Sequence, residues 1–136
     1  RMFRMVSRLR VPYILMSVQP TVRGMLLSFA EKVQQLRDWG AADIILDPGF
    51  GFGKTMEENY QMMNELEKLQ VMNLPLLVGI SRKSMIYRLF GCTPDESLNG
   101  TTVLNTIALM KGASILRVHD VKAAVECCKI VGKMER

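Results

Sequence analysis

"ILDPGFGFGKT", residues 45–55, decides how this chain is read. An apolar run ends in Asp47-Pro48, three glycines alternate with aromatics, and Lys54-Thr55 opens a polar helical pattern. That is a strand, a tight loop and a helix start. Two familiar phosphate loops fail by counting. A Walker A loop needs glycine five positions before Gly53, where Pro48 stands. A dinucleotide loop needs G-x-G-x-x-G, whereas Gly49, Gly51 and Gly53 are evenly spaced. No acid stands about 20 positions on either, since position 73 is Asn.

Working outward, three more apolar runs resemble "DIILD" (43–47): "YILMSV" (13–18), "PLLVGI" (75–80) and "SILRV" (114–118). None alternates with polar residues, so both faces are expected to be covered, as in a parallel sheet. Leu15, Ile45, Leu77 and Leu116 stand 30, 32 and 39 residues apart, the length of a β-α unit. Four such units leave a doubly wound sheet or part of a (β/α)₈ barrel. A complete barrel needs about 250 residues. A chain of 136 residues with four strands fits the second half of one.

Helix signals fill the gaps. Thr55 with Glu58 forms a capping box for a helix presenting Met56, Tyr60, Met63 and Leu66. Thr93-Pro94-Asp95-Glu96 is a second box, followed by an expected break at Asn99-Gly100 and a helix over 101–111 that stops at Gly112. Ser81 or Ser84 can cap the helix after the third strand. Asp120 can cap the last, with Val121, Val125, Cys128 and Val131 near one face. The opening "RMFRMVSRLR" sets Met2, Met5, Val6 and Leu9 at helical spacing among four arginines. It reads either as a basic presequence or, our preferred reading, as the last helix of a preceding unit.

Composition narrows the functions. There is no apolar run of about 18 residues, so no membrane span is expected. Three cysteines without a CxxC pair argue against a disulfide framework and for a reducing, cytoplasmic compartment. One histidine and no Cys/His cluster argue against zinc. A net charge of +5 suits an anionic ligand. The basic residues are scattered, without interleaved aromatics, so nucleic acid is not the expected partner.

In α/β folds chemistry collects at the carboxyl ends of the strands. There the sequence places Met16-Ser17, Asp47 with its glycine loop, "GISRKS" (79–84) and "RVHD" (117–120). A carboxylate ending a buried strand needs donors, and Asp47 could accept two parallel N–H bonds from an amidine-like edge. Arg117 and His119 alternate along one strand end and together could hold a phosphate. Arg82 and Lys83 add charge beside a helix start. The set suits a flat, hydrogen-bond-donating ligand together with an anionic group.

"DPGFGFGKT", "LPLLVGISRKS", "NGTT" and "ILRVHDV" resemble dihydropteroate synthase in wording, order and separation, from about Pro12 to the end. That family is a (β/α)₈ barrel. It joins 6-hydroxymethyl-7,8-dihydropterin pyrophosphate to 4-aminobenzoate in folate biosynthesis and is the target of sulfonamides. The resemblance implies that Asp47 binds the pterin's amino-pyrimidine edge, with Lys83, Gly79, Phe52 and Met16 around the ring. Ser84, Lys83, Arg82 and Phe52 would take the aminobenzoate, and Arg117 and His119 the pyrophosphate. Lys83, Arg117 and His119 would be catalytic. The family's Mg²⁺ ligand would lie in an N-terminal half that this chain lacks, and none would lie in residues 1–136. The resemblance also implies a homodimer.

Two departures stand out. The family's Met-His pair after the first of these strands is replaced by Met16-Ser17. The connection on to "FAEKVQQLRDWGAADIILD" is also short for the family. A half barrel has open edges, so the chain alone is expected to be inactive. Rival readings are a pterin-binding methyltransferase domain and a non-catalytic remnant.

Overall fold

The computed structural model describes residues 12–135. The stretch "RMFRMVSRLR" lies outside them. The described residues alternate strands with helical segments. β1 (Tyr13–Met16) pairs in parallel with β2 (Ile44–Asp47), which sets Met16 beside Asp47. β3 (Leu77–Val78) pairs in parallel with β4 (Ile115–Leu116). A parallel bridge between Leu46 and Leu76 joins the two pairs into the order β1-β2-β3-β4. The described residues form no closed barrel. The strands are shorter than the apolar runs that announced them. Ladder bonds such as Arg117 N–H to Val78 O (3.0 Å) and Ser17 N–H to Asp47 O (3.0 Å) run on past them. Beyond those bonds the chain turns into the loops.

Leu15, Ile44, Leu46 and Val78 are buried with the helix residues in one hydrophobic core. By register the opposite sheet face carries Ile14, Met16 and Ile115, which are 47%, 39% and 37% exposed, and the carboxylate of Asp47. Helix α1 (Val22–Asp38) starts where Thr21 Oγ1 accepts the Gly24 N–H at 3.0 Å. Its buried stripe of Val22, Met25, Phe29, Val33 and Leu36 follows the helical period.

Helix α2 (Met56–Asn64) has the expected capping box, with both Thr55–Glu58 bonds present. Its buried side is rotated from the expected face. Asn59, Met62 and Met63 are buried, while Met56 and Tyr60 are only half-buried. The helix then tightens to a 3₁₀ segment over Leu66–Met72, which buries Leu66 and Leu69.

Helix α3 (Ser84–Phe90) is capped by neither serine. Lys83 stands at the cap position without a side-chain bond, and Ser84 is the first helical residue. The second capping box closes only a 3₁₀ turn, Pro94–Glu96. No break follows at Asn99-Gly100, because helix α4 (Leu98–Met110) already contains both. The glycine serves packing. A Cβ on Gly100 would stand 2.4 Å from Ile86 Cγ2 and 2.9 Å from Phe90 Cε2, so only a bare Cα lets α3 lie this close. Gly112 does follow the helix end with a positive φ of 108°.

Helix α5 (Val121–Met134) buries Ala124, Cys127 and Val131. Val121, Val125 and Cys128, expected inside, are exposed. The small Ala124 and Cys127 allow closer packing than valine would. Cys127 Sγ sits 3.5 Å from Thr106 Oγ1 and 3.8 Å from Thr102 O on α4. Asp120 stands at the cap position but does not cap, since Arg82 holds its carboxylate. The three cysteines are free. No helix of the described residues is long and apolar enough to cross a membrane.

Candidate active site

Asp47 is the centre of the strand-end cluster. It is 3% exposed, and both carboxylate oxygens are engaged. Oδ1 accepts the Gly49 N–H at 2.9 Å and Oδ2 accepts from the Arg117 guanidinium at 3.0 Å. A buried carboxylate persists only with such donors. Gly49 makes the turn possible. Its φ is +71°, and a Cβ there would stand 2.3 Å from the Ser17 carbonyl oxygen.

The glycine loop is pinned from three sides. Asn59, buried on α2, accepts the Gly51 N–H at 2.8 Å and donates to Thr55 O at 3.0 Å. Lys54 folds back to donate to Gly49 O at 2.8 Å. Lys83 crosses from the β3–α3 turn and donates to Phe50 O, with Nζ 4.7 Å from the centroid of the Phe52 ring. Its stem fits because residue 51 is glycine, where a Cβ would stand 3.1 Å from Lys83 Cδ. Burial lowers the pKa of Lys83, opposed by the charge of Asp47 and assisted by Arg117 and Lys54. Burial likewise lowers that of Lys54 against the pull of Asp47 and Glu58. Three cations thus surround one carboxylate.

The predicted residues fall into two groups. Asp47, Lys83, Phe52, Gly79, Met16 and Arg117 meet around the ends of β1, β2, β3 and β4. Gly79 supports Arg117, whose Nη1 lies 3.2 Å from where a Cβ would be. Phe52, Lys83, Ser84 and Arg82 line a cavity of about 290 Å³ together with Phe50, Gly51 and Tyr87. The guanidinium of Arg82 is committed elsewhere, with Nη2 3.0 Å from Asp120 and Nη1 3.3 Å from Asp95. Its backbone sits at φ +56°, and its N–H is taken by the buried Thr101 Oγ1 at 3.2 Å. That bond explains the "NGTT" segment. His119 is exposed beside Arg117, and its Nδ1 lies 2.9 Å from Ser81 Oγ.

Lys54, Asn59, Ser81, Thr101 and Tyr87 were not singled out as site residues by the sequence. Lys54 lies inside the glycine loop, Ser81 inside "GISRKS" and Thr101 inside "NGTT", whereas Asn59 and Tyr87 stand in no quoted motif. A larger apolar cavity of about 360 Å³ lies among the helices, between Tyr60, Ile86, Phe90 and Val103. It has no carboxylate and none of the strand-end residues.

The sequence profile described as "Pterin binding enzyme" matches residues 1–119. The chain belongs to the pterin binding enzyme family. It is 47% identical over 105 residues to dihydropteroate synthase of Escherichia coli, covering 76% of this chain and 37% of that one. A solved Yersinia pestis structure with a pterine-sulfa conjugate superposes with a TM-score of 0.93 at 37% identity, over 98% of this chain and 55% of that chain. The dihydropteroate synthase of Xanthomonas albilineans in complex with 7,8-dihydropteroate gives 0.91 at 31% identity, over 98% of this chain and 55% of that one. The chain therefore spans between about a third and a half of its family relatives' length. The cluster around Asp47 and the cavity beside Phe52 and Ser84 adjoin, since Lys83 belongs to both.

Proposed function

We propose that this chain is the C-terminal half of a (β/α)₈ dihydropteroate synthase, with residues 1–136 as one barrel half. The carrying observation is Asp47, a buried carboxylate at a strand end ringed by Lys54, Lys83 and Arg117. Relatives of known name and structure support the choice of reaction.

In this reading the arylamine nitrogen of 4-aminobenzoate attacks the methylene carbon of dihydropterin pyrophosphate. A C–N bond forms, the C–O bond to pyrophosphate breaks, and the amine releases a proton. Asp47 accepts the N–H groups of the amino-pyrimidine edge. Lys83, held by Phe50 O and the Phe52 ring, stands between the pterin site and the aminobenzoate cavity. Ser84 receives the aminobenzoate carboxylate, with Arg82 as a wall and not as its ion pair. Arg117 and His119 stabilise charge on the departing pyrophosphate. Sulfonamides would enter the aminobenzoate cavity. Magnesium is part of the proposal only through groups beyond this set. Among the described residues no three His, Cys, Asp or Glu side chains come together.

The chain alone is proposed to be inactive, and the protein that carries it cytoplasmic and homodimeric. The apolar helix groove supports dimerisation, with Phe90 60% and Val103 49% exposed beside it. Sedimentation of the chain should show a species heavier than 15.4 kDa. The test of the function is calorimetric binding of 6-hydroxymethylpterin to the protein that carries this chain. Asp47→Asn should weaken it by at least tenfold, since a neutral amide replaces the charged acceptor. Unchanged affinity would remove Asp47 from the role.

A further inference from the structure

We infer that Ser81 fixes the tautomer of His119, making Nδ1 an acceptor and leaving Nε2–H as a donor aimed away from the protein. Two bonds carry this. Ser81 Oγ accepts the backbone N–H of His119 at 3.3 Å and stands 2.9 Å from His119 Nδ1. Ser81 itself is buried, 6% exposed.

A serine hydroxyl has one proton to give and two lone pairs. One lone pair is used by the His119 N–H. Among the described residues, Nδ1 is the acceptor within reach of the hydroxyl proton. With the ring proton on Nδ1, Ser81 would accept twice and its own proton would be buried without a partner, which is costly. The neutral ring therefore holds its proton on Nε2, which none of the described residues binds. The same hydroxyl clasps backbone and ring of one residue, so it sets the ring's angle as well as its proton.

The consequence rests on the proposed function. A neutral His119 with Nε2–H offers the pyrophosphate oxygens a hydrogen bond but no lone pair on the side facing them. It acts as a donor to the leaving group and does not take the arylamine proton. Ser81 is then a positioning residue, acting through His119.

His119 is the only histidine in the chain, so two-bond ¹H–¹⁵N correlation spectra of ¹⁵N-labelled protein report this ring alone. In alkaline buffer, where imidazole is neutral, Nδ1 should be unprotonated and Nε2 protonated. A proton on Nδ1, or the averaged pattern of free imidazole, would overturn the assignment. Ser81→Ala should give that averaged pattern, and Ser81→Thr should restore the single tautomer. If Ser81→Ala fails to fold, the wild-type spectrum still decides. Inorganic pyrophosphate should then shift the Nε2 signal. An Nε2–H tautomer that pyrophosphate leaves unmoved would uphold the role of Ser81 and refute the pyrophosphate site.

Discussion

Lys83 is in tension between function and folding. Burial lowers its pKa from the ordinary 10.5, so the folded chain holds its proton less tightly than the unfolded chain does. Between the lowered value and 10.5 the folded state has released a proton that the unfolded state keeps, so stability rises with pH across that window. At neutral pH both states are protonated and the cost of burying the charge is fully present. Lys83→Met keeps the stem and removes the charge. Its urea midpoint should lie above wild type at neutral pH, and the gap should narrow as pH approaches 10.5. A midpoint below wild type throughout would mean that the bond to Phe50 O and the Phe52 contact outweigh desolvation. Legibility also divides at this scale. Asp47, Lys83, Arg117 and His119 could be singled out because each is a charged or polar residue that follows closely on an apolar strand run. The roles of Asn59, Ser81 and Thr101 could not, because their partners lie 8, 38 and 19 residues away. Nothing local marks a buried serine that clasps a distant histidine.

Elements were readable where one force acts alone. The Thr55–Glu58 box is local chemistry, and it forms as spelled. The face of α5 was misplaced because its valines look like core, whereas close packing on α4 selects the small Ala124 and Cys127. Asn99-Gly100 looked like a break because glycine has two uses, turning and yielding space, and here it yields space. Gly100→Ala tests this. The new methyl must displace Ile86 and Phe90 side-chain ends, so overpacking should cost about 1–3 kcal/mol, measured by urea unfolding. Gly53→Ala, with open space around its Cβ but a φ of +65°, should cost only the backbone strain. No loss from Gly100→Ala would show that α3 and α4 can separate freely.

At the scale of the molecule, four parallel strands with helices over one face are arranged so that residues far apart in sequence share one charge. Asp47 and Arg117 are 70 positions apart and 3.0 Å from each other. In the proposed reaction the first belongs to the ring and the second to the leaving group. A pterin edge that occupies Asp47 relieves Arg117 of its partner, and pyrophosphate drawing Arg117 away leaves Asp47 readier for the ring. The two halves of one substrate are thereby in thermodynamic conversation, and such coupling must be reciprocal. In the protein that carries this chain, calorimetry should find inorganic pyrophosphate binding more tightly with 6-hydroxymethylpterin present, and the pterin more tightly with pyrophosphate, by the same factor. Equal affinities would mean that the ion pair stays closed. An intact substrate would open the ion pair once and engage both freed groups, while either piece alone would open it and leave one of them without a partner.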